Sequence, residues 1–136
     1  MVEVVWQAPA MGQIETNVAK AIAAGRALYG VGCMAAPRTL MGPAAARAEG
    51  PMVWMGRTFG VRDLVLGAGT WMALSEGGPA AIRWVEVSAA ADALDLVNSV
   101  VFAKELDKAG RIGVLALAVP ATLGGIWAAR KLRAAA

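Results

Sequence analysis

The sequence predicts an all-α fold, a four-helix transmembrane bundle, on three observations. Ile112–Ala129 is a run of 18 residues without a charge, followed at once by Arg130, Lys131 and Arg133. Such a run is long enough to cross the hydrocarbon core of a bilayer, and a basic cluster is the usual stop at its edge. The whole chain is 58% hydrophobic and 17% charged, with a mean hydropathy of +0.56. Glycine and proline divide it into four apolar segments joined by short connections.

Residues 1–17 read as an N-terminal arm, interfacial or extended. The arm has no basic stretch ahead of a long apolar core, so it is not a secretory signal. The first helix runs from about 18 to 36, broken by Lys20 and Arg26 and stopped by Pro37. The second runs from about 59 to 75, with a charge-free stretch from Leu64 to Ser75. Before it lie the turn signals Gly42-Pro43 and Gly50-Pro51. The third follows Gly77-Gly78-Pro79 and spans about 80 to 103. The charged hinge Lys104–Arg111, with Gly110, leads to the fourth at 112–129. Together residues 18–133 form the membrane domain. Only the fourth segment meets the length rule alone, so a soluble four-helix domain is the competing reading. The placement of Trp6, Trp54, Trp71, Trp84 and Trp127 near segment ends favours a membrane, where an amphipathic ring prefers the interface. The expected location is the cell's inner (plasma) membrane, with multiple passes. Six Lys and Arg in the 37–58 and 104–111 connections against four on the opposite side lean towards cytoplasmic loops.

Composition also excludes. The net charge of +3 is modest and its basic residues are scattered, so nucleic acid is not an expected partner. There is no histidine, which removes Ser-His-Asp and Cys-His catalysis, the common zinc sites and His-ligated haem. The single cysteine, Cys33, allows no internal disulfide. No catalytic residues, metal ligands or cofactor are expected.

Two sets of residues stand out. Gly30 and Gly32 in the first helix match Gly67 and Gly69 in the second at an offset of 37, and two such helices can approach closely at their glycines. Pro120 with Gly124-Gly125 predicts a bend in the fourth. In the third helix Ser88, Asp92, Asp95 and Ser99 are spaced 4, 3 and 4 apart, which places them on one polar stripe. Acids inside a membrane segment are expensive and normally face the bundle interior, paired. Arg26 and the Arg62-Asp63 dipeptide supply partners, so Arg26, Arg62, Asp63, Asp92 and Asp95 form a candidate buried network. Three roles are open to it: a structural ion-pair latch, a proton relay, or a site for an anionic or cationic ligand.

Gly25-Arg26 with Gly30 and Ala36-Pro37, then Arg57 and Gly60-Val61-Arg62-Asp63-Leu64 with Gly67, then Ala91-Asp92 and Asp95, occur in an order that resembles small four-helix integral membrane proteins of high-GC bacteria. That group is a family of unknown function, more distantly DoxX-like. The resemblance covers about residues 18–130 and implies a four-helix membrane fold with the Arg/Asp set inside it. The function expected is that of a non-enzymatic accessory, scaffolding or stabilising subunit of a membrane complex or homo-oligomer. Its partners would be membrane lipids and either another protein or a second copy. The alternative is a small transporter or binding protein for a lipophilic or anionic molecule, working through the same cluster.

Overall fold

A computed structural model describes residues 12–40 and 49–135. Those residues are all-helical, with no strand among them. The helices are α1 (Gln13–Ala35), α2 (Pro37–Leu40), α3 (Gly50–Glu76), α4 (Gly78–Val101) and α5 (Lys108–Ala134), with a 3-10 turn at Ala103–Glu105. The arm up to residue 11, with Trp6, and the Gly42-Pro43 turn lie outside the described residues.

Three of the four long helices exceed the segments read from the sequence, for local reasons, whereas α4 is shifted to 78–101 against the 80–103 expected and stops before the 3-10 turn at Ala103–Glu105. Gln13–Asn17, read as part of the arm, is the first turn of α1. Nothing there breaks a helix, the Gln13 amide donates to Asn17 Oδ1 at 2.9 Å, and the Thr16 hydroxyl donates to the Gly12 carbonyl at 2.9 Å. Pro51, read as a stop, is a start. Proline suits the first turn, where its missing N–H would be unpaired in any case, so α3 begins nine residues before position 59. At the hinge, Asp107 accepts the Gly110 N–H at 2.7 Å and caps α5, which therefore begins at Lys108. Pro37 does end α1, and the Ala36 N–H closes it on the Gly32 carbonyl. Between α3 and α4 the only non-helical residue is Gly77. Gly77 and Gly78 have φ of 78° and 75°, a left-handed conformation that glycine alone adopts freely.

The four long helices pack as an antiparallel bundle in the cyclic order α1, α3, α4, α5. α1 and α4 are therefore diagonal. The seams follow a seven-residue rhythm of small residues: Ala19, Ala23, Arg26, Gly30 and Cys33 are buried in α1. Their counterparts in α3 include Gly56, Gly60, Asp63, Gly67 and Thr70. The 4-3 spacing keeps one stripe facing its neighbour along the helix. At one end an apolar cluster closes the bundle, built from Ala19, Leu74, Ala81, Val85, Ala128 and Leu132. All five buried residues of α5 follow Pro120, so its first half lies outside the packed interior.

Large apolar side chains, by contrast, are outside. Leu28, Val65, Leu94, Val97, Leu117 and Leu123 are each more than half exposed. Leu132 and Cys33 are the largest side chains that are fully buried among the described residues. Among the described residues one helix, α5, is long and apolar enough to cross a membrane, and only 22% of its apolar window is buried within the molecule.

Candidate functional site

Among the described residues the interior of the bundle holds three charged side chains. Arg26 from α1, Asp63 from α3 and Asp92 from α4 are each more than nine-tenths buried. Their helices bring them together because the residues around Arg26 are small. A Cβ added at Gly30 would lie 2.5 Å from the Leu64 backbone nitrogen, and one at Gly67 would lie 2.5 Å from the Ala23 carbonyl oxygen. The α1 and α3 backbones are thus nearly in contact one turn either side of Arg26. Its guanidinium crosses the bundle to the diagonal helix, where Nη2 pairs with Asp92 Oδ1. Nη1 lies 3.8 Å from Asp63 Oδ1, too far for a hydrogen bond.

One guanidinium therefore serves two carboxylates. Arg26 Nη1, Asp63 Oδ1 and Asp92 Oδ2 have no hydrogen-bond partner, and neither does the buried hydroxyl of Thr122 on α5. Beside Asp92 is a cavity with about 10 Å³ of space for a water centre, walled in part by Thr70, Ser88, Asp92 and Gly125. That volume and those polar walls suit one ordered water.

The other charged pair is separate. Arg62 Nη1 donates to both oxygens of Asp95, at 3.1 and 2.9 Å, with 35% and 38% of the two side chains exposed. Arg62 also lies over the Phe59 ring, 5.4 Å from its centroid. The five residues singled out in the sequence thus form two units rather than one network. The polar stripe divides between them. Ser88 and Asp92 face the interior, Asp95 turns to Arg62 at the edge, and the Ser99 hydroxyl donates back to the Asp95 carbonyl at 2.7 Å. Among the described residues no three acids, cysteines or histidines are grouped as metal ligands.

The paired glycines also divide. Gly30 and Gly67 sit on the α1–α3 seam, joined there by Gly60. Gly32 faces the Leu40 side chain, and Gly69 lies under the Trp84 ring. Residues two apart point to different sides of a helix, so a Gly-x-Gly pair cannot serve one seam with both members. The sequence reading names Gly60 only within the family resemblance and not as a packing residue, and it misses Thr70, Thr122 and the Arg133–Glu86 ion pair at 2.6 Å. The seven-residue rhythm of small residues was the signal that marks Gly60 and Thr70.

No protein-family model, curated protein or solved structure matches this chain.

Proposed function

We propose that this chain is a small multi-pass integral membrane protein without catalysis of its own, serving as a scaffolding or stabilising subunit of a membrane complex or of a homo-oligomer. One observation carries the reading: large apolar side chains cover the outside of the bundle, while its interior combines small residues with charge. Leu, Val and Trp side chains lie outside, and alanine, glycine, Thr70, Ser88, Thr122, Arg26, Asp63 and Asp92 make up most of the interior. In water this arrangement exposes apolar surface far beyond single scattered residues and buries charge. In lipid both halves are favourable, because tails solvate the exterior and inward charges find partners. Three of the four long helices fail a simple hydropathy test because they carry charges, and of these charges Arg26, Asp63 and Asp92 point inward. Their 23 to 27 residues reach ~35–40 Å at 1.5 Å per residue, enough for a bilayer core of ~30 Å.

The Arg26–Asp92 pair then acts as a latch between diagonal helices. The resemblance to small four-helix membrane proteins agrees with this reading. The test is extraction followed by sizing. The protein should resist carbonate and high salt, then run in mild detergent above its monomer mass or with a bound protein. Release by carbonate rejects the membrane reading, and a bare monomer rejects the subunit role.

A second reading rests on the uneven charge count. One guanidinium for two carboxylates, beside a water-sized cavity, is an arrangement that can hold and exchange a proton. Reconstituted protein should then dissipate a pH gradient across vesicles, and Asp92→Asn should abolish it.

A further inference from the structure

Between α4 and α5, away from the charged interior, runs a groove of about 320 Å³. Its floor is alanine and isoleucine, chiefly Ala90, Ala93 and Ile126. Its mouth carries Glu86, Arg130 and Arg133. Arg133 is bound to Glu86, which leaves the exposed Arg130 as the charge offered to an occupant. We infer that this groove is a binding site for one anionic phospholipid, its phosphate at Arg130 and the first part of an acyl chain along the alanine floor.

The levels agree. The charge-free run of α5 ends at Ala129, so Arg130 stands where hydrocarbon gives way to headgroups. Trp71 and Trp127 are exposed at the same end of the bundle, and Lys20 lies over Trp71, 5.5 Å from its ring centroid. That combination of aromatic ring and cation is typical of the interface. From Glu86 to Ala93 the floor descends seven residues, ~10 Å at helical rise, into the apolar depth. Small side chains there leave a slot that Leu or Phe would fill. Basic pockets between membrane helices recognise anionic headgroups in this way. A zwitterionic lipid would bring its phosphate together with an ammonium that offsets it and sits beside the Arg130 and Arg133 cations, and a bare phosphate ion would leave the alanine floor empty.

The inference rests on the membrane reading, and its test can fail separately. The full chain, carried through carbonate washing, is purified in mild detergent. Phosphatidylglycerol and phosphatidylcholine of matched chains are then titrated and bound lipids are counted by native mass spectrometry. One phosphatidylglycerol should bind at least tenfold more tightly than phosphatidylcholine. Arg130→Ala should remove most of that preference, and Ala93→Leu should weaken both lipids while the charges stay in place. Lys131→Ala, one residue along and outside the groove, should change binding less than twofold. Equal binding of the two lipids overturns the site, as does a Lys131→Ala loss equal to that of Arg130→Ala. A change of oligomeric mass in Ala93→Leu assigns the groove to a protein contact and overturns it as well. If inorganic phosphate competes fully at equal concentration, the floor contributes nothing and the site is only an anion contact. A chain that washes off the membrane fails the earlier reading instead.

Discussion

At Arg26 the bundle concentrates its electrostatic risk. The guanidinium pairs with Asp92 and stands 3.8 Å from Asp63, with polar atoms of all three unpartnered. Removing one partner of a buried pair typically costs ~3–5 kcal/mol because it strands the other charge. Arg26→Ala strands two carboxylates and should be the most damaging single change. Asp92→Ala should follow, and Asp63→Asn should be mildest, since it deletes the carboxylate that has no hydrogen bond to the arginine. Thermal unfolding in detergent should return that order; an Asp63→Asn loss matching Arg26→Ala refutes the uneven sharing. Thr122→Val removes an orphaned hydroxyl at similar volume and should be neutral or stabilising in the same assay. The charged residues themselves were legible, because ionisable groups within apolar segments are conspicuous. Their division into two units was not. It depends on the rotation and stagger of α4 against α3, which three-dimensional packing sets and a single-helix projection does not contain.

Each helix owes its place to where glycine stands on its surface. At Gly30, Gly60 and Gly67 an added Cβ meets backbone atoms that cannot yield, so even alanine should push α1 and α3 apart. At Gly25 and Gly113 an added Cβ would meet nothing within 4 Å among the described residues. Alanine at Gly25 should stabilise by ~0.5–1 kcal/mol through its better helix propensity. Gly32 should tolerate alanine, because among the described residues the atoms it would meet belong to the movable Leu40 side chain. Melting temperatures of Gly25→Ala, Gly32→Ala and Gly67→Ala should therefore fall in that order, and a Gly67→Ala variant as stable as Gly25→Ala removes the close α1–α3 approach. Sequence reading recovered the four long helices because proline and glycine punctuate them. It misplaced the starts of α1, α3 and α5; at α3 the turn residues Gly50 and Pro51 are absorbed into the first turn.

For the whole molecule the decisive property is its reversed polarity, with small and charged residues inside and large apolar ones outside. Composition alone hints at it, but which face of each helix turns inward emerges only once the helices are assembled. Exterior substitutions should accordingly be cheap in lipid. Leu94→Ala and Val97→Ala, both on exposed positions of α4, should each shift the melting temperature in detergent by less than Ala81→Leu, which overfills a fully buried site. A large loss at Leu94 or Val97 would mean that this face is covered by another chain, and would supply the first footprint of the partner proposed above.

The two left-handed glycines between α3 and α4 bear on how the chain is made. If the chain sits in a bilayer as proposed above, the single residue between the two helices requires residues 50–101 to enter together, as one reversed loop. That loop carries its Arg62–Asp95 neutralisation with it, but the counter-charge for Asp63 and Asp92 is Arg26, synthesised earlier on α1. On the proposed membrane reading, α1 is then held until the loop arrives, and both pass into lipid together. A nascent chain lacking Arg26 would present two bare carboxylates at that moment. Pulse-labelled Arg26→Ala chains should be degraded within minutes of synthesis, whereas Asp95→Asn chains, altered at the half-exposed pair, should persist.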